Sequence, residues 1–332
     1  MKTLTTSNWL LACLYGVILL FSFFNINRRG NDAAGIGMET GLIFFGGILL
    51  AVLIGLNIIP YRWSKLTAFS VGLLPLLVVS YNFVSDRIFA YLDKQKNEAI
   101  ANGSYYFQDA ALLDVASAIA KEDLPRLQTL LQSPIRQRLN ESGKDHVTLL
   151  DFATFRATEQ ENPEQAMRCM ELLLANGATT QTADTARIPT QIWVSRQGSA
   201  AVLELLLKKG ADPNAHNSYG APILFSTIDY ETDRFLKVKV LLEHGANPNS
   251  IHPDYGWMGH YSPLLYAANN QVWDVCQLLL ERGADFRYQT PTGFIIDNVI
   301  VHYENLYADN GNTPADFTAF KKKLRAAQSS KQ

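Results

Sequence analysis

Charge is scarce in the first quarter of this 332-residue sequence. Residues 1–85 contain seven charged side chains and the remaining residues contain 53, so two chemically different parts are joined in one chain. An excess of one sign is also lacking, because Lys and Arg total 29 while Asp and Glu total 31. A nucleic-acid-binding domain carries a basic face, so we expect no nucleic acid as partner. The length is typical of two domains.

Cysteine and the common catalytic motifs are scarce as well. Three cysteines in 332 residues are too few for a disulfide scaffold. The sequence has no glycine-rich phosphate loop, no Gly-x-Ser-x-Gly elbow and no His-Glu-x-x-His helix. His252, Asp254 and His260 share one stretch, but no second pair with zinc-like spacing accompanies them. We therefore predict no enzyme activity, no catalytic residue, no cofactor and no bound metal.

Three long uncharged segments fill the charge-poor part. The charged residues that bound them are Lys2 and Arg28, Glu39 and Arg62, and Lys65 and Asp86. About 20 apolar residues cross the ~30 Å hydrocarbon core of a bilayer, and each segment is long enough. We predict an integral, multi-pass membrane domain over residues 1–85 that contacts the lipid bilayer, with transmembrane helices at about 9–26, 41–60 and 66–84.

The predicted spans contain no Asp, Glu, Lys, Arg or His. Transport and proton pathways use such residues inside the membrane, so these helices alone do not suit a transporter or channel. The basic residues are nearly balanced between the two sides, and the side of the membrane that the rest of the chain faces stays undetermined.

Small residues recur every four positions in the second predicted helix, at Gly47, Ala51 and Gly55. They share one face, and small residues allow helices to approach closely in lipid. Two interpretations fit this face. It packs against the first and third helices of the same chain, which we favour, or it is the contact of a homo-oligomer.

Beyond the membrane segments, residues 86–104 are predicted to form a juxtamembrane helix followed by a linker at Asn102-Gly103-Ser104.

After this linker one sequence phrase occurs four times. It consists of three aliphatic residues, two further residues and then Gly-Ala. Its glycines are Gly177, Gly210, Gly245 and Gly283, spaced by 33, 35 and 38 residues. A glycine ends a helix through the left-handed cap conformation, and Asp-Pro-Asn then starts a turn. Such a unit buries its apolar face by stacking on its neighbours.

The repeated phrase resembles the ankyrin repeat. That family's first-helix signature, Thr-Pro-Leu-His-x-Ala, appears at 262–268 as Ser-Pro-Leu-Leu-Tyr-Ala-Ala, with weaker versions at 148–153 and 221–226. The resemblance covers about residues 105–327, with divergent opening and closing units. It implies an all-α fold in which three N-terminal transmembrane helices precede an ankyrin-repeat α-solenoid of five to six repeats.

One finger loop is longer than the repeat requires. Residues 250–261 place two tyrosines, a tryptophan and a methionine where the repeat predicts an exposed loop, and exposed aromatic residues mark binding surfaces. Trp257 either binds a partner or folds back onto its own repeat, and the sequence leaves both open. The predicted partner-binding residues on this and the neighbouring fingers are Tyr255, Trp257, His260, Tyr261, His216, Asn217, Tyr219, Arg287 and Tyr288.

Ankyrin stacks bind proteins through their fingers and concave helix faces, so the resemblance implies a membrane-tethered protein-binding module. The layout is similar to small membrane-anchored ankyrin proteins of bacteria, which implies the bacterial inner membrane and, more sharply, an immunity-type protein that sequesters a toxin. The alternative is a membrane sensor or transport-complex subunit in which the repeats are regulatory. The identity of the protein partner stays open.

Overall fold

The computed structural model describes residues 2–25, 33–159, 163–181, 187–254, 256 and 258–329. The chain divides into two compact units, Met1–Gln95 and Lys96–Gln332. Within the described ranges every regular element is a helix, and the pairing of His216 with Pro222 is an isolated bridge.

The first unit contains α1 (Lys2–Asn25), α2 (Ala33–Ile58) and most of α3 (Arg62–Asn102). All three are long and apolar enough to cross a membrane, by length and composition. The helix α3 has 41 residues, which corresponds to about 60 Å at 1.5 Å per residue. It is therefore twice as long as one span requires, and it continues without a break through most of the segment that we predicted to be juxtamembrane.

A buried polar cluster joins the three helices of this unit. Asn8 of α1 donates from Nδ2 to Oδ1 of Asn57 at 3.1 Å and to the Lys65 carbonyl at 2.9 Å. The Nζ of Lys65 donates to the Asn57 carbonyl at 2.8 Å. All three side chains are buried. Lys65, which the sequence presents as a boundary charge, is thus an internal link between α2 and α3.

The small-residue face of α2 does not pack against the described residues of the chain. Gly47, Ala51 and Gly55 are exposed, and a Cβ added to either glycine would meet nothing within 4 Å. Other glycines allow the close approach instead: a Cβ on Gly46 would lie 2.5 Å from Leu19, and one on Gly72 would lie 3.2 Å from Leu53. Our favoured interpretation of this face, packing against α1 and α3, is therefore wrong, and an oligomer contact stays a prediction.

The second unit is a stack of helix pairs. Its α-helices are α4 (Ala110–Ala120), α5 (Leu124–Leu130), α6 (Leu149–Glu159), α7 (Glu164–Ala175), α8 (Thr190–Gln197), α9 (Ala200–Lys208), α10 (Ile223–Asp229), α11 (Arg234–Glu243), α12 (Pro263–Asn269), α13 (Trp273–Glu281), α14 (Ile296–Asp309) and α15 (Ala315–Ser329). The described residues form six pairs. The first helix of each pair contacts the first helix of the next, and most second helices do the same. One continuous apolar core runs through the stack.

The repeated phrase closes each of four pairs in the same way. Its glycines have φ between +87° and +105°, a conformation that glycine adopts without strain. The alanine that follows each glycine is buried. The helix ends of these pairs are therefore fixed by the local sequence.

At three places in the stack an asparagine ties one repeat to the next. Asn214 donates from Nδ2 to the Gly245 carbonyl at 3.1 Å and accepts from the Asn247 amide at 2.8 Å. Asn249 makes the same two bonds to Gly283 and Asp285, and Asn140 makes them to Gly177 and Thr179. The sequence predicts only a local turn here, whereas the asparagine of Asp-Pro-Asn bridges two repeats.

Aromatic packing closes the far end of the stack. The Trp273 ring lies 4.8 Å from that of Phe317 and 5.8 Å from that of Phe320 on α15, and its Nε1 donates to the Tyr307 hydroxyl at 3.2 Å. The helices α14 and α15 are longer than the helices they cover, so this last pair closes the apolar core. Its outer side is polar and includes Lys322 and Lys323.

Candidate partner-binding surface

The two aromatic residues at the centre of the predicted site, Tyr255 and Trp257, lie outside the described residues. The choice between a binding role and a fold-back role for Trp257 therefore stays open. The other seven predicted residues lie within the described part of the chain and can be placed individually.

The base of the long finger loop is a closed backbone ladder. The His252 amide donates to the Tyr261 carbonyl at 2.9 Å, and the His260 amide donates to the His252 carbonyl at 3.0 Å. The His252 ring is buried, stacked on Tyr266 and edge-on to Phe225. His252 therefore anchors the loop in the core of its repeat.

His260 and Asp254 lie on the outer part of the same loop. Nε2 of His260 is 3.2 Å from Oδ1 of Asp254, and the Asp254 side chain is 80% exposed. The described residues contain no group of three or more His, Cys, Asp or Glu side chains that could hold a metal ion. His252 points into the ring cluster of the core, so it does not join this pair.

Two predicted contact residues bind this loop to the next repeat. The Tyr261 ring stacks on that of Phe294 at 5.5 Å, and the Tyr288 hydroxyl donates to the His260 carbonyl at 2.7 Å. Burial raises the pKa of both tyrosine hydroxyls. Both side chains hold the loop in place, and each retains only part of its surface for a partner.

The finger one repeat earlier has a rigid tip. Oδ1 of Asn217 accepts from the Tyr219 amide at 2.9 Å and from the Ala221 amide at 3.0 Å. Asn217 is thus occupied in the turn, and Tyr219 at the tip is 74% exposed. His216 and, on the later finger, Arg287 are exposed as well. These three side chains are the ones from the predicted set that a partner can reach most fully.

A cleft between the second and third pairs was missed by the sequence reasoning. The cavity has a volume of about 170 Å³. Its walls include Phe155 of α6 and Trp193 of α8, whose ring centroids are 4.6 Å apart. Residues 145–147 and Ile188 form its rim, and both Asp145 and His146 have positive φ.

A buried ion pair forms the polar side of this cleft. Nε of Arg187 donates to Oδ2 of Asp151 at 2.8 Å, and Nη2 donates to Oδ1 at 2.7 Å. Thr148 and Thr190 also bond to this pair. The Arg187 and Asp151 side chains are 3% and 6% exposed. Asp151, which stands in place of the histidine of the first-helix signature, is the feature of the sequence that could have indicated this ion pair. Its partner Arg187 is 36 residues away, so the sequence does not show that the two side chains meet.

Comparisons with known proteins agree with the repeat. Residues 191–290 match the family model described as ankyrin repeats (3 copies). An ankyrin repeat protein of Neurospora crassa, nuc-2, is 31% identical over 148 residues, which are 44% of this chain and 13% of that protein. This chain thus matches only a small part of that relative.

Two solved structures are similar as well. EF0377, an ankyrin repeat protein, is 22% identical with a TM-score of 0.46, over 64% of this chain and 97% of that one. The ankyrin repeat domain of Bcl-3, a member of the IkappaB protein family, is 23% identical with a TM-score of 0.47, over 58% of this chain and 81% of that one.

Proposed function

Because this chain carries ankyrin repeats, which are in general protein-binding modules, we propose that it is a membrane-tethered protein-binding module. The membrane domain is residues 1–85, the connecting helix and linker are residues 86–104, and the repeat domain of residues 105–327 captures a protein partner through its finger loops and concave face. The three apolar helices support the anchor.

The observation that carries the binding role is the rigid tip at Tyr219. A partner gains more from a large side chain on a fixed backbone turn, because less backbone freedom is then lost on binding. Tyrosine and arginine are also enriched among the residues that dominate binding energy. Tyr219, with Arg287 and His216 on the same row of fingers, meets both conditions.

Photo-cross-linking in cells tests this proposal. A photoreactive residue is placed at 216, 219 or 287 in the full chain, and at the exposed Lys208 of α9 as the matched control. The expected result is one common protein adduct from the finger positions and none from position 208. Equal adduct yields at Lys208, or no adduct from any finger, would contradict the proposal.

Binding of the purified adduct partner then gives the energetic test. Tyr219→Ala and Arg287→Ala should each weaken binding by about tenfold, which corresponds to about 1.4 kcal/mol. Lys208→Ala should leave the affinity unchanged.

The toxin-sequestering form of the proposal, at a bacterial inner membrane, rests on the similarity of layout and predicts that this partner is a secreted toxin.

A second candidate function is favoured by the buried cluster of Asn8, Asn57 and Lys65. Asn8 and Lys65 lie just outside the predicted spans 9–26 and 66–84, and this buried polar link between the three helices supports a membrane sensor or transport-complex subunit with regulatory repeats. Replacing residues 1–85 by an unrelated three-helix anchor separates the two candidates. Partner capture that survives the replacement favours the binding module, and its loss favours the second candidate.

The open face of α2 supports a further proposal, that the protein self-associates in the membrane through Gly47, Ala51 and Gly55. Gly47→Leu and Gly55→Leu should each reduce cross-linking between copies in membranes, because a bulky side chain prevents close helix contact. Gly41→Leu, also on α2 with open space beside it, is the control and should have no effect.

A further inference from the structure

We propose that the cleft between Phe155, Trp193 and Arg187 is a recognition pocket for a tyrosine side chain of the protein partner. This inference rests on the proposed function, and it adds a specificity site two repeats away from the long finger loop. Its parts come from the finger residues 145–147 and from α6, α8 and the segment that leads into α8.

The size of the cavity matches one aromatic ring. A cavity of about 150 Å³ in a protein core is large enough to bind benzene, and this one measures about 170 Å³. The rings of Phe155 and Trp193 are tilted by 57° to each other, so a third ring can pack against them in the edge-on or offset arrangements that aromatic rings prefer. Both side chains are only half-buried in the chain itself.

The polar side of the cavity offers a hydrogen-bond donor. The bonds of Arg187 to other described residues use Nε and Nη2, and none of them uses Nη1. The Arg187 side chain lines the cavity although it is 3% exposed. The N–H groups of a guanidinium nitrogen cost free energy when they are buried without a hydrogen-bond acceptor. A hydroxyl oxygen in the cavity would accept from Nη1.

The charges around the cavity disfavour an anionic occupant. Asp151 neutralises Arg187 through two hydrogen bonds, and Asp145 adds a second carboxylate at the rim. A carboxylate ligand would therefore face two carboxylates and one guanidinium, whereas an ammonium group has no lone pair with which to accept from Nη1. A phenol is aromatic, neutral and able to accept from Nη1, so tyrosine meets all three conditions.

Hydrogen bonds fix the part of the rim that residues 145–147 form. The Gly143 amide donates to the Val147 carbonyl, and the Lys144 amide donates to the Tyr106 carbonyl, each at 2.8 Å. A Cβ on Gly143 would lie 2.3 Å from the Tyr106 carbonyl oxygen. The loop is therefore locked against the preceding repeat, and a preformed rim reduces the entropic cost of binding.

Fluorine NMR on the full chain in lipid nanodiscs tests the pocket. The protein is labelled with 5-fluorotryptophan, the Trp193 signal is assigned with Trp193→Phe, and N-acetyl-tyrosinamide is the probe. We expect a saturable shift of the Trp193 signal. N-acetyl-phenylalaninamide should bind about three- to tenfold more weakly, because it lacks the hydroxyl that accepts from Arg187.

Two isoleucines on finger loops provide matched variants. Ile188 is 51% exposed at the rim of the cavity, and Ile251 is 39% exposed on another finger. Ile188→Ala should weaken tyrosinamide binding about fivefold through lost apolar contact, and Ile251→Ala should leave it unchanged. Neither change removes a buried side chain, so both variants should fold.

The outcomes separate this inference from the proposed function. No saturable shift at Trp193, equal binding of the two amides, or equal effects of the two isoleucine variants would overturn the pocket. If the fingers still cross-link a partner in that case, the protein-binding function stands without it. Selective tyrosinamide binding without any finger adduct would support the pocket and contradict the finger-centred function.

Discussion

At the scale of single residues, Lys237 is a lysine at a position where the other repeats have an apolar side chain. It lies eight residues before Gly245, and the residues eight before the other repeat glycines are Cys169, Val202 and Val275. All four side chains are fully buried. Nζ of Lys237 donates to the Ser195 carbonyl at 2.8 Å. Burial lowers the pKa of Lys237 to about 8, although Asp233 opposes the shift.

We expect this lysine to give the stack a pH-dependent stability. Between pH 8 and 10.5 the folded chain holds the Lys237 amine neutral while the unfolded chain keeps it protonated, so the free energy of unfolding rises with pH across that window. Below pH 8 both states are protonated, and the full cost of the buried charge is present. Lys237→Met should abolish the rise and increase the free energy of unfolding at pH 7 by about 1–2 kcal/mol.

Chemical unfolding of the full chain, measured below pH 8 and within the window above it, checks this expectation. Lys239→Met is the control, because Lys239 is exposed two residues further along the same helix. Equal pH dependence in the Lys237→Met variant and the unsubstituted chain would show that the buried amine does not titrate in this range.

The buried ion pair of Asp151 and Arg187 should also determine the stability of the stack. Arg187→Met should lower the free energy of unfolding by about 3–5 kcal/mol, because Asp151 would remain charged and buried without its partner. Asp151→Leu together with Arg187→Met should cost less than either single change. A double-mutant cycle on the full chain measures this coupling, and additive effects would contradict it.

At the scale of elements, the asparagines that bridge repeats carry the stacking of the finger bases. Asn214→Ala and Asn249→Ala should each lower the free energy of unfolding by about 1–2 kcal/mol, since each change leaves a carbonyl and an amide of the next repeat without their partner. Asn305 is exposed on α14, and Asn305→Ala should be neutral. Similar effects at all three positions would indicate that the bridges contribute nothing specific.

At the scale of the whole molecule, in the membrane-tethered arrangement that we propose, the side of the membrane that the repeats face decides which partners they meet. A compartment-sensitive reporter fused after Gln332 in a bacterial host measures it. The toxin-sequestering proposal predicts an external signal if the toxin is intercepted on arrival. A cytoplasmic signal would restrict that proposal to toxins that act inside the cell.

The repeat was predictable from the sequence because its signals are local and periodic. The four glycine-ended phrases determine where helices stop, and the ankyrin resemblance is confirmed by the family model over residues 191–290. The three apolar segments likewise correspond to helices of sufficient length and apolar composition. These features depend on neighbours within one turn or one hydrophobic run, which a sequence displays directly.

The roles of individual side chains were decided only by tertiary contacts. Tyr261 and Tyr288 are the same residue type as the exposed Tyr219, yet contacts to a neighbouring repeat occupy them, and hydrogen bonds within a turn occupy Asn217. Arg187 reaches Asp151 across 36 positions. The sequence by itself determined the helices and their repetition, because caps and apolar periods are local. The packing of one repeat on the next decided which polar side chains are buried, paired or exposed, because those contacts join residues about one repeat apart.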